Sequence, residues 1–209
     1  MIFTITGYMG SGKSTICEIL NREYNFRTVS AGSIFRKIGV ENNLSVLDMT
    51  RELTANKDAK IDNYIDQAII DEASKVSEDE NVIFDSRLAW HFLESSFNIF
   101  IVVSPYQAAL RTYLTRINDD EKYSNLQETI DGLVERRVLE NKRYKKIYGV
   151  NCEDLNNYDL VIDTSYISAL EAVDIIMYHG FLLNLPYLTV HAYIFYLNIY
   201  LLYFYLYNQ

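Results

Sequence analysis

Gly7-Tyr8-Met9-Gly10-Ser11-Gly12-Lys13-Ser14 is the stretch on which the fold of this chain turns. It fits the pattern G-x4-G-K-[ST], and its surroundings fit as well. Before it, Ile2-Phe3-Thr4-Ile5-Thr6 is a short β-branched run that predicts a strand stopping at Gly7. After it, Ile16, Ile19 and Leu20 fall at helical spacing within Lys13 to Glu23. The glycines let successive backbone N–H groups turn inward, and the helix that follows presents its positive end. Gly7, Gly10, Ser11, Gly12, Lys13, Ser14 and Thr15 therefore form a predicted cradle for a nucleoside triphosphate. Lys13 can reach the β- and γ-phosphates, and the Ser14 hydroxyl can ligate Mg²⁺.

Further along, apolar runs alternate with helical patterns. Strands are predicted at Arg27–Ser30, Asn81–Asp85, Phe97–Val103 and Tyr158–Asp163, five in all with the first. Helices are predicted at Ser33–Val40, Ser45–Leu53, Ile61–Lys75, Pro105–Arg116, Leu126–Ile147 and Ser168–Tyr178. Several strands are continuous apolar runs, as in a parallel sheet covered on both faces. The expected fold is a three-layer α/β P-loop NTPase with a five-stranded parallel sheet. A helical acceptor-binding part is expected at about 31–80 and a short lid at about 118–135.

The chain has 209 residues, with 19 Lys+Arg against 28 Asp+Glu and a formal charge of −9. That balance argues against a nucleic-acid partner, which calls for a net basic surface. It leaves room for a phosphate ligand, because a few placed cations bind phosphate locally. Two cysteines, Cys17 and Cys152, are too few for a disulfide framework, so a cytoplasmic location is expected. Met1 leads directly into a strand, and no N-terminal targeting segment is expected. No motif specifies an oligomeric state.

Two P-loop classes fit poorly. A GTPase needs Asn-Lys-x-Asp, but Asn56-Lys57-Asp58-Ala59 fails at its last position and Asn141-Lys142-Arg143-Tyr144 fails too. A motor ATPase would end a later strand in Asp-Glu, whereas Val82-Ile83-Phe84-Asp85 is followed by Ser86. A small-molecule kinase needs a triphosphate cradle, an acceptor pocket and arginines that close on the transferring phosphoryl group.

Beyond the P-loop, five segments occur in a telling order. They are Ser30–Arg36 (Ser-Ala-Gly-x-x-Phe-Arg), Ile61-Asp62 with Asp66, Ser86–Trp90, Lys142–Gly149 and Tyr158–Thr164. In this order the chain resembles the cytidylate kinase-like family, in its short-lid, archaeal-type branch, over roughly residues 1–178. The resemblance implies transfer of the ATP γ-phosphate to CMP or dCMP with Mg²⁺. It further implies that Arg36 and Arg87 bind the acceptor phosphate, that Ser30 lies near the nucleoside, and that Asp62 or Asp66 lies near base or ribose. The sequence departs from the family at Leu139, where a small or hydroxylated residue is usual, and at Asp85-Ser86-Arg87, where Glu/Asp-Gly-Arg is more frequent.

The residues themselves leave alternatives. Guanidinium forks at Arg36 and Arg87 match phosphate oxygens. Ser30 is equally a helix N-cap, and Asp62 and Asp66, four apart, are equally solvated carboxylates on one helix face. Asp85 closes an apolar strand, where it can hold a Mg²⁺-bound water, orient Arg87, or cap a helix. Arg136 and Arg143 are seven apart and share a face, so they act on phosphates or form a solvated basic stripe with Arg137, Lys142, Lys145 and Lys146. Arg116 flanks the expected lid from the other side. Trp90 and His91 read as packing. Lys13, Asp85, Arg136 and Arg143 are the candidate catalytic residues, and a phosphate acceptor needs no general base. Two other functions stay open: a P-loop kinase of another small metabolite or nucleotide, and a non-catalytic nucleotide-binding regulator.

The last 30 residues differ in kind. After Asp174 there is no Asp, Glu, Lys or Arg, and from Phe181 onward 22 of 29 residues are apolar, with 7 of the 18 tyrosines. The kinase domain is accordingly expected at 1–179 and the tail at 180–209. Tyr187–Tyr207 is long enough to cross a bilayer. Tyrosine, however, prefers the interface, His191 and Asn198 interrupt the span, and no basic cluster flanks it. The other readings are a packing or oligomerisation segment and the translated product of AT-rich non-coding DNA.

Overall fold

The computed structural model describes residues 1–55, 60–115 and 123–184. Its chain divides into two compact units, Met1–Val173 and Asp174–Gln209. In the first, β1 (Ile2–Gly7), β2 (Arg27–Ser30), β3 (Val82–Asp85), β4 (Phe97–Val102) and β5 (Leu160–Asp163) form one sheet in the order β2-β3-β1-β4-β5. Every neighbouring pair is parallel. β1 sits at the centre, and Phe3, Ile5, Ile83, Phe84, Ile99 and Ile101 are all buried, as continuous apolar strands covered on both faces must be. The register pairs Ile5 with Asp85 and Gly7 with Ile101. The carboxyl ends of β1 and β3 therefore meet where the strand order reverses, the place where open α/β sheets bind ligands.

The helices are α1 (Lys13–Tyr24), α2 (Ala31–Glu41), α3 (Val46–Ala55), α4 (Lys60–Ala73), α5 (Ala89–Phe92), α6 (Pro105–Thr115), α7 (Leu126–Tyr148) and α8 (Ala169–Asn184). α1 buries Ile16, Cys17, Ile19 and Leu20 along one face. Between β2 and β3, helices α2 to α4 enclose a core of their own: Phe35, Val46, Met49, Leu53 and Ile65. α7 starts at Asn125, whose side chain accepts from the Glu128 N–H at 2.9 Å, and stops at Gly149 in a left-handed conformation. The bidentate pair Arg51–Glu135, at 2.8 Å for both bonds, ties α3 to α7.

Most predicted strands and α-helices fall within a few residues of those observed, with two differences among the α-helices. α5 was not anticipated, because four residues are too few to show a helical period. α8 continues past Tyr178 to Asn184, through Gly180, because the apolar composition contains no proline before Pro186. Of the second unit, the described part is the end of α8 from Asp174 to Asn184. Tyr187–Tyr207 lies outside the described residues, as does Arg116. Among the described residues no helix is long and apolar enough to cross a membrane.

Candidate active site

The loop from Gly7 to Ser14 leaves β1 under tight constraint. A Cβ on Gly7, whose φ is 153°, would sit 2.1 Å from the Ile101 carbonyl oxygen on β4. Gly12, at φ 89°, starts α1 in a left-handed conformation without a side-chain cap, so the N–H groups of the first turn are directed at the cleft. From behind, the Thr164 hydroxyl donates to the Ser11 carbonyl at 2.9 Å. Lys13 Nζ donates to the carbonyls of Gly7 and Tyr8 at 3.0 and 2.9 Å. Burial, reinforced by the Arg87 charge, lowers its pKa to about 8. The loop thus presents a nest of backbone donors beside a cation held by two backbone carbonyls.

A cleft of about 550 Å³ opens over this loop. Gly10, Ser11, Gly12, Lys13, Ser14 and Thr15 line one end, and Arg36, Asp62, Asp66 and Arg143 line the other. Asp85, Arg87, Arg136 and Glu140 lie along the same walls. Asp85 accepts from the Ser30 hydroxyl at 3.2 Å. The Ser14 hydroxyl and the Asp85 carboxylate are hard oxygen donors in one cleft beside a phosphate cradle, a set that suits Mg²⁺.

At the far end, Arg143 and Asp62 form a buried pair, Nε to Oδ1 at 3.2 Å. Asp62 Oδ2 and Arg143 Nη1 are buried with no hydrogen-bond partner among the described residues. The Arg143 guanidinium also packs over the rings of Tyr144 and Phe35, at 5.0 and 5.7 Å. Tyr148 Oη donates to Asp66. Burial pushes the Asp66 pKa up to about 6, with the Tyr148 bond opposing. Burial raises the pKa of Asp62 too, against the pull of Arg143.

These features, a P-loop and a buried donor–acceptor pair in one cleft, can be set beside known proteins. The profile of the cytidylate kinase-like family matches residues 2–166. The chain belongs to that family. It is 32% identical over 176 residues to a cytidylate kinase of Methanosarcina mazei, a match spanning 84% of this chain and 94% of the relative. With a cytidylate kinase of Methanocaldococcus jannaschii it shares 33% over 166 residues, spanning 79% and 89%. A shikimate kinase structure from Bacteroides thetaiotaomicron superimposes with a TM-score of 0.56 at 17% identity, covering 88% of this chain and 99% of that one. At that identity the likeness shows the shared P-loop kinase fold alone. This cytidylate kinase-like chain is thus a P-loop kinase with nucleotide-handling relatives.

Within this kinase the structure resolves several of the alternatives. Ser30 caps α2, accepting from the Ser33 N–H at 3.3 Å while bonding Asp85. Asp62 is not a solvated carboxylate, being 6% exposed. Arg143 and Arg136 are withdrawn from the basic stripe, their side chains 3% and 13% exposed, whereas Lys142, Lys145 and Lys146 face solvent. Residues 126–135 of the expected lid belong to α7, and 118–122 lie outside the described residues. Trp90 packs on Tyr158 and donates its Nε1–H to the Arg87 carbonyl at 2.9 Å. His91 packs among Trp90, Phe92 and Tyr148.

Two charged lining residues escaped the sequence reading. Arg111 of α6 donates to the Thr164 carbonyl at 2.6 Å beside the P-loop. Glu140 stands four residues after Arg136 and three before Arg143, a spacing that puts all three on one helix face. That spacing was the available signal.

Proposed function

We propose that this kinase transfers the γ-phosphate of ATP to CMP or dCMP, giving the diphosphate and ADP. The observation that carries the reading is the shared cleft: a P-loop at one end and, at the other, the buried Asp62–Arg143 pair with an acceptor atom and a donor atom unpartnered. A polar, planar base or a ribose supplies the missing partners, and Phe35 and Tyr144 supply apolar contact. The cytidylate kinase relatives support the choice of a cytosine nucleotide.

The roles follow from chemistry. Gly7, Gly10, Ser11, Gly12 and Thr15 cradle ATP with backbone and hydroxyl donors, and Lys13 meets the β- and γ-phosphates. Ser14, and Asp85 through water, would hold Mg²⁺, which would neutralise phosphate charge when bound. Arg36 and Arg87 orient the acceptor phosphate, and Arg136 neutralises charge on the group in transfer. Asp62, Asp66 and Arg143 hold the nucleoside end. Ser30 acts through Asp85 and the start of α2. Spacing alone suggested that Arg143 acts on phosphate; its pairing with Asp62 at 3.2 Å supports reading it as a nucleoside contact instead. Free buried Cys17 and Cys152 fit a cytoplasmic setting.

A coupled ADP-release assay across CMP, dCMP, UMP, AMP, shikimate and dephospho-CoA tests the proposal. Turnover with CMP or dCMP well above the others is expected. Turnover confined to another acceptor would overturn the cytidylate reading, and ATP binding without any turnover would favour a regulator.

A further inference from the structure

Glu140 has no role in the reading above, yet it touches two of its arginines. Its Oε2 lies 3.1 Å from Arg87 Nε and its Oε1 lies 2.8 Å from Arg136 Nε. The two arginines come from separate elements, Arg87 from the loop after β3 and Arg136 from α7. The Glu140 side chain is 9% exposed. Burial alone would raise its pKa, but the charges of Arg87, Arg136 and Arg143 prevail and hold it down at about 2. The carboxylate is therefore ionised at neutral pH.

We propose that Glu140 is a positioning residue for the acceptor-phosphate end of the cleft, aligning Arg87 and Arg136 through their Nε atoms. The inference rests on the proposed function. A guanidinium bound at Nε has its plane fixed, because that N–H lies in the plane and points one way. Arg87 is fixed a second time, since its Nη1 donates to the Gly7 carbonyl at the base of the P-loop. One carboxylate thus relates the acceptor-phosphate arginine, Arg87, to Arg136, which meets the group in transfer, and through Arg87 it relates both to the donor cradle. It also offsets repulsion among Lys13, Arg87, Arg136 and Arg143, which line one cleft before any phosphate enters. Such preorganisation keeps cations at short range without spending substrate binding to gather them.

The competing role for Glu140 is direct contact with the acceptor sugar. The full-length protein distinguishes the two, using Glu140→Gln and Glu140→Asp. The aspartate keeps the charge but is one methylene shorter, so it cannot span both arginines. For each protein, KM and kcat are measured with CMP and with 2′,3′-dideoxy-CMP, and the Kd of inorganic phosphate is measured on the ADP-loaded protein. Positioning predicts that Glu140→Gln raises KM about tenfold or more, by the same factor for both nucleotides, and lowers kcat as well. It also predicts weaker phosphate binding by a similar factor, with Glu140→Asp intermediate. ADP affinity should stay within about threefold, which reports an intact fold.

A penalty seen with CMP and absent with the dideoxy nucleotide would overturn positioning in favour of sugar contact. Unchanged KM, kcat and phosphate affinity would overturn any role. If Glu140→Gln no longer binds ADP, Glu140→Asp decides by the same comparison. If the wild type turns over neither nucleotide, the cytidylate reading falls, while the phosphate affinities still decide the inference.

Discussion

Arg143 and Asp62 meet at 3.2 Å with side chains 3% and 7% exposed, and each keeps a buried polar atom unpartnered. A pair so withdrawn from water is costly to break from one side, because the survivor is a buried charge without its counter-ion. Asp62→Ala should therefore lower unfolding stability by about 3–5 kcal/mol. Asp62→Leu combined with Arg143→Met should recover much of that loss while abolishing acceptor binding. Urea denaturation and calorimetry with CMP check the two halves separately. A double variant that still binds CMP would remove the pair from the acceptor site.

Lys13 carries the donor half of the argument. Its pKa, lowered to about 8 chiefly by burial, means that the fold holds its charge at a cost. Lys13→Met should therefore leave Tm unchanged or raise it at neutral pH, with the difference closing as pH rises from about 8 toward the ordinary lysine value. Turnover should fall by about a hundredfold or more, because the cation facing the transferring phosphate is gone. In the wild type, ATP affinity should weaken as pH rises through 8, and Lys13→Arg should remove that dependence. Isothermal calorimetry from pH 7 to pH 9 reads it directly. Full activity in Lys13→Met would defeat the P-loop assignment.

How legible each part was depends on how local its cause is. The P-loop could be read because its glycines answer a backbone demand, such as the close approach of Gly7 to Ile101, within a few residues. The sheet could be read because buried parallel strands are continuous apolar runs. The central place of β1 could not, since strand order depends on crossovers between distant segments. Arg36 and Arg87, which line the cleft, were picked out by the family pattern and not by spacing. Glu140 was missed because a glutamate on a polar helix reads as solvated, and the approach of Arg87 from a remote loop is not visible in sequence. Arg143 lines the cleft as expected, but its burial against Asp62 could not be read from helical spacing.

The end of α8 bears on the tail. The family match stops at residue 166, and no residue proposed to contact a substrate lies beyond Tyr144. A chain ending at Asn184 keeps the whole of α8 and should retain wild-type kcat and KM. Steady-state kinetics and size-exclusion chromatography of the truncated protein check this. Loss of activity or of a monodisperse peak would give residues 185–209 a packing or assembly role and exclude the unselected-extension reading.

Asp66, which accepts from Tyr148 Oη, supplies a pH dependence with a definite sign. Burial raises its pKa from the ordinary 3.8 to about 6, so the native state binds the proton more tightly than the unfolded chain. That contribution to stability is full below the ordinary value and is lost as pH rises through 6. Asp66→Asn should therefore change Tm little at about pH 4 and raise it by about 2–5 °C at neutral pH. Acceptor binding should run the opposite way. If the ionised carboxylate holds the nucleoside, kcat/KM for CMP falls as pH drops through 6. Tyr148→Phe removes the bond that restrains the shift, so the acid limb should move to higher pH. An acid limb unmoved by Tyr148→Phe and absent in neither variant would assign it to another group.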